Sequence, residues 1–198
     1  MELFSLLSSL PYLTLFEQPG ITREKFLLCC SSYFHGKRME LLERLSLVPG
    51  DPDARELLLR FPDKSVSRAY ACWESALRVS LAKIRAAKNP GGVFPDRPDA
   101  EYETDADTAA RRAYAASDPL ERERILDRAR WEKLDELTRM GHSHVFNFDS
   151  VCAYCLKLQI AEKWAERKEA GAEVNLDRAA DAVRKNRIEP KENTEQQK

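Results

Sequence analysis

Seven glycines among 198 residues are few, and the ten prolines do not scatter among them. Both types gather at 11, 19–20, 36, 49–52, 62, 90–98, 119, 141, 171 and 190. Between lie stretches without either residue, at 63–89, 99–118, 120–140, 142–170 and 172–189. Such lengths exceed ordinary strands and suit helices, so an all-α fold is expected. There is no excess charge of either sign: 32 Lys and Arg stand against 33 Asp and Glu, a net charge of −1. That balance argues against a nucleic-acid partner, which normally meets a basic excess. Long apolar runs are missing as well. The uncharged stretch from Leu3 to Phe16 holds Pro11 and falls short of the roughly 20 residues a bilayer demands, so no direct membrane span is expected. Glu2 stands where a signal peptide would carry basic residues. Five cysteines (29, 30, 72, 152, 155) are an odd number, which favours reduced thiols and a cytoplasmic location over a disulfide framework.

The catalytic motifs are equally thin. No Gly-x4-Gly-Lys-Ser/Thr loop, Gly-x-Gly-x-x-Gly turn or Gly-x-Ser-x-Gly elbow occurs. His142, His144, Cys152 and Cys155 have the elements of a tetrahedral zinc site, but the two cysteines fall within a helical pattern, where packing is the better reading. Cys29 and Cys30 are likewise assigned to packing, and His35 to a helix end. The acids Asp96, Asp99, Glu101, Glu103, Asp105 and Asp107, against the single Arg97, lack the spacing of a calcium loop and read as a solvated connection. No cofactor, metal or catalytic residue is assigned, and an enzyme is not expected.

What is present is helical periodicity. Thr22 is an N-cap for a helix to about Tyr33, with Phe26, Cys29, Cys30 and Tyr33 to one side. A helix over 37–47 turns Met39, Leu41, Leu42 and Leu45 inward, and a short one covers 53–61 after the turn at 49–52. Over 63–89 the residues Val66, Tyr70, Trp73, Leu77, Leu81 and Ile84 share one face. The opposite face is assigned Arg68, Glu74, Arg78 and Arg85, with Glu74 four residues ahead of Arg78. An alanine-rich helix follows at 106–116. Asp118, Pro119 and Glu121 then start a helix to Met140, with Leu126, Ala129, Leu137 and Met140 inward, Trp131 and Leu134 on its shoulder, and Gly141 ending it. Between Phe148 and Lys168 apolar residues spread round most of the circumference, the pattern of a central or covered helix. A weaker helix at 176–186 follows Asn175. The domain reading is an N-terminal helical half (1–88), a Pro/Gly and acidic connection (89–105), a C-terminal helical half (106–186) and a disordered tail (187–198).

Several stretches carry a resemblance. They are the start Ser8-Ser9-Leu10-Pro11-Tyr12-Leu13, the segments around Trp73, Glu74, Leu77 and Arg85, and the run through Phe148, Asp149, Tyr154, Lys157, Leu158, Gln159 and Trp164. Together they resemble a small helical family encoded in bacterial V/A-type ATPase operons and described as C/d-like, after the stalk component of V-type ATP synthases. Lys163 stands where that family usually has Arg. The resemblance implies a noncatalytic cytoplasmic connector, peripheral to the membrane, whose partners are the central stalk and the rotor ring. An unrelated helical adaptor is the alternative.

Overall fold

The computed structural model describes residues 2–47, 57–58, 60–62, 65–88, 103–140 and 146–188, with side chains in the last helix followed as far as Gly171. Among the described residues every regular element is a helix. These are α1 (Glu2–Ser9), α2 (Arg23–Ser31), α3 (Lys37–Arg44), α4 (Val66–Lys88), α5 (Thr104–Ala115), α6 (Pro119–Met140) and α7 (Phe148–Ile188). None is long and apolar enough to cross a membrane.

Local chemistry sets the helix starts. Thr22 accepts from the Lys25 amide at 3.4 Å, as the sequence suggests. Asp118 accepts from the Glu121 amide at 3.0 Å, directly ahead of the Pro119 that opens α6. Asn147 does the same for Ser150 at 2.9 Å, giving α7 its N-cap. Gly36, at φ +56, turns the chain into α3 through a conformation that side chains with a Cβ avoid.

The four later helices run side by side. Trp73 in α4 bonds Asp105 at the start of α5, while Lys88 at the end of α4 lies over the ring of Tyr114 near the end of α5. The two helices are therefore parallel. α5 faces the packing with Ala106, Ala109, Ala110 and Ala113, small side chains that let helix backbones approach closely. α6 returns antiparallel, pairing Arg130 with Glu74 and Arg122 with Tyr114. α7 reverses again, with Lys157 against Asp135 and Lys163 against Glu123.

Several expectations need correction. Glu74 is fully buried rather than on the polar face. Leu134 is fully buried rather than on a shoulder, and Ala129 and Leu137 are only half-buried. In α2 only Phe26 and Cys30 are buried, and Cys29 and Tyr33 are exposed. α3 ends at Arg44, because side chains from other elements claim the backbone of Leu45 and Leu47. Asp105 and Asp107 belong to α5 and not to a solvated connection. The separate helix at 176–186 is instead the continuation of α7 through Gly171 and Asn175. An isolated glycine costs a helix only about 1 kcal/mol relative to alanine, too little to break one that is anchored upstream. Most of 53–61, the segment 89–102, Gly141, His142, His144 and 189–198 lie outside the described residues.

Candidate functional site

The feature with the most concentrated chemistry is a buried ionic network between α4, α6 and α7. Arg130 grips Glu74 with two parallel bonds, Nε to Oε2 at 2.9 Å and Nη2 to Oε1 at 2.8 Å. Its Nη1 donates to Asp127 Oδ1 at 2.8 Å. The other oxygen of Asp127 accepts from the Trp164 indole at 2.8 Å and meets the Lys163 ammonium. Two carboxylates thus face two cations, and each of their four oxygens has a partner within the network. Burial works against the charge on Arg130, but the bonds and charge of Glu74 outweigh it and hold its pKa above the ordinary value. Burial and then the Glu74 charge push the Tyr70 phenol up. Such a network has no oxygen free for a substrate. What it can do is fix the mutual rotation of three helices, since a misaligned charge here stays unpaired in a dry interior.

Three further clamps surround it. Asp105 accepts from Trp73 Nε1 and from Lys133 Nζ, each at 3.0 Å. Partial burial raises the Asp105 pKa, but the Lys133 bond and charge, helped by the Ala106 amide and Trp73, win and leave it below 3.8. On the other side of α7, Gln159 donates to the Leu45 carbonyl at 2.9 Å and accepts from the Leu47 amide at 3.3 Å. This single amide treats an extended strip as a neighbouring strand would. Arg23 gathers the carbonyls of Leu42, Glu43 and Leu45 at the end of α3, while its backbone amide donates to Glu162 at 2.6 Å.

The residues that carry the sequence resemblance fall at these junctions. Asp149 accepts from the Val66 amide at 3.0 Å and caps α4. Tyr154 donates to the Pro11 carbonyl at 2.8 Å and stacks on Phe26, while Leu10 packs against the core. Phe148 lies between Phe34 and Phe61 with Arg38 over its ring. Lys157 bonds Asp135 at 2.5 Å and lies over Trp131. Leu77 and Leu158 are fully buried. Glu74 and Trp164 meet in the ionic network, whereas Arg85 is exposed on α4 and joins none of these contacts. Local pattern does not single out Asp105, Asp127, Arg130 or Arg23 as clamps. The signal that could have found two of them is spacing: positions 127, 130 and 134 continue an inward stripe once charged residues are admitted to it.

The cysteines take no part in an open site. Cys152 and Cys155 are inside α7, and burial pushes both thiols up, with their mutual charge adding to the shift at Cys152. Burial, followed by Cys155 and Cys29, raises Cys30 to about 12. This opposes the thiolate that a nucleophile or a zinc ligand must supply. Among the described residues no group of His, Cys, Asp and Glu is placed to hold a metal.

With this geometry in place, one comparison is informative. Residues 109–184 match a family model described as a protein of unknown function (DUF2764). The match begins in α5 and runs through α6 into α7, covering Asp127, Arg130 and Trp164 but not Glu74, and spans less than half of the chain. No curated protein and no solved structure matches the chain.

Proposed function

We propose that the chain is a noncatalytic, C/d-like connector of a bacterial V/A-type ATPase that couples the central stalk to the membrane rotor ring. The observation that carries this reading is the placement of the residues behind the resemblance. Asp149, Tyr154, Gln159, Trp164, Trp73 and Glu74 each bind another segment of the same chain, across separations of up to 143 residues. Side chains spent on rigidity suit a part that transmits force, and ATP hydrolysis and ion movement would belong to other components of the complex. An unrelated helical adaptor would use the same rigidity with different partners.

The deciding experiment is affinity purification of the tagged full chain from its native cells, with the bound proteins identified. Stalk and ring proteins in stoichiometric amounts support the connector. Their absence from the purified chain, together with absence of the chain from the intact ATPase, overturns it.

A further inference from the structure

One end of the helical packing differs from the rest in how its aromatic rings are covered. The ends of α4 and α5, the start of α6 and the 163–168 turn of α7 meet there. Lys88 Nζ stands 4.5 Å from the centre of the Tyr114 ring, and Arg122 approaches the same ring at 5.7 Å. Arg124 and Arg167 lie over Trp164 at 5.8 and 5.1 Å. Phe16 packs edge-on against Trp164 and carries Arg128 at 5.8 Å, while Lys168 bonds the Phe16 carbonyl at 2.6 Å. Phe16 takes a left-handed φ of 68°, the only positive φ outside glycine among the described residues. Several contacts therefore hold this corner in a costly conformation.

Among the described residues this end carries Lys88, Arg122, Arg124, Arg128, Arg167 and Lys168 against Glu17, Asp118, Glu121 and Glu123, an excess of cations. Glu121 reaches Arg124 at 3.7 Å, and Glu123 is shared between Lys163 and Arg167. Lys88, Arg122, Arg128 and Lys168 have no carboxylate at ion-pair distance among the described residues, and all four are exposed. Glu166 and Glu169 do not neutralise the group. At 100° per residue they fall on the side of α7 away from Trp164, whereas Arg167 and Lys168 flank it.

We propose that this end of the molecule, formed by Lys88, Arg122, Arg124, Arg128, Arg167 and Lys168 over the rings of Tyr114, Trp164 and Phe16, docks an acidic surface of a partner protein. The proposal rests on the connector reading and names the chemistry of one of its contacts. Arginine is enriched at protein interfaces, and the charge selects acids. A membrane is the poorer fit, because Trp164 is only 4% exposed and sealed beneath arginines rather than free to insert.

The test uses the full chain with two double variants of equal charge change: Arg128→Glu with Lys168→Glu at this end, and Lys37→Glu with Arg38→Glu on α3. Binding of a polyglutamate peptide and of phosphatidylserine vesicles is followed by tryptophan fluorescence, with melting curves confirming that each variant folds. If the first pair does not fold, Arg122→Glu with Arg124→Glu replaces it. Polyglutamate binding should weaken at least about tenfold in the Arg128/Lys168 variant, change little in the α3 variant, and decline with salt. Equal loss in both variants, or binding of vesicles without the peptide, overturns the proposal. Co-purification with the ATPase separates the two readings. A wild-type chain that binds peptide at this end but never the ATPase sinks the connector and leaves the basic docking face standing. An Arg128/Lys168 variant that still joins the ATPase at wild-type level sinks the docking face alone.

Discussion

The two ends of the helical packing solve the same problem differently. Where α7 begins, Phe148 meets Phe34 at 5.0 Å and Phe61 at 6.1 Å, Asp149 caps α4, and Phe4 lies edge-on to Phe146 at 4.7 Å. There, rings cover rings, with Arg38 added over Phe148 at 5.4 Å. Where α4 and α5 end, Tyr114, Trp164 and Phe16 are each covered by lysine or arginine. Ring-on-ring contact derives most of its energy from area removed from water, and it closes a surface. A cation over a ring leaves its charge directed outward and available. The first end is built for stability, and the second combines stability with a field.

Four measurements press on that contrast. The largest effect belongs to the link between the ends. Arg130→Met strands Glu74 as a buried charge, while Asp127 keeps Lys163 and Trp164, and should cost about 3–5 kcal/mol, read by denaturant unfolding. A loss below about 1 kcal/mol would mean that the network is no keystone. Next come the ends themselves. Phe148→Ala should cost about 2–3 kcal/mol, less than a fully buried phenylalanine, whereas Arg128→Ala should stay within about 0.5 kcal/mol. Equal costs would erase the distinction.

A smaller effect is expected in acid. Lys133 and Trp73 hold the folded-state pKa of Asp105 below 3.8. The contact therefore stabilises above that value and is lost as the pH falls through the depressed one. Trp73 fluorescence should change below about pH 4 in a step that Asp105→Asn removes. A step that persists in the variant would assign it to another carboxylate. The smallest effect leaves the fold untouched. Under native conditions a maleimide should label Cys29 and Cys72, which are exposed, and spare Cys30, Cys152 and Cys155 until unfolding. Native labelling of Cys155 would show that α7 opens more readily than its packing implies.

The fold is most legible in the sequence where a signal is local. The caps Thr22 and Asp118 and the face from Val66 to Leu77 follow from residues within a turn or two of one another. Amphipathic reasoning sends a carboxylate to solvent, and so it misplaces Glu74. The burial of Glu74 depends on an arginine 56 positions further on, which no local pattern contains. Gly171 and Asn175 suggest an interruption in α7 because propensity weighs each residue alone, while a helix already anchored from Val151 to Trp164 extends through poor formers at little cost. The Gln159 clamp is hidden for a related reason. Its partners are backbone groups, and backbone leaves no trace in residue identity.

Gln159 also has a consequence for the time course of synthesis. It binds Leu45 and Leu47, and Tyr154 binds Pro11, so the first helices are held by residues made more than a hundred positions later. At about 5–20 residues per second, α2 and α3 wait on the order of ten seconds for their dock to leave the ribosome. During that interval Phe26 lacks the Tyr154 ring it stacks on, and Leu42 lacks the Cys155 thiol that meets its carbonyl in the finished molecule. The amino-terminal helices are therefore completed by a surface that is synthesised last.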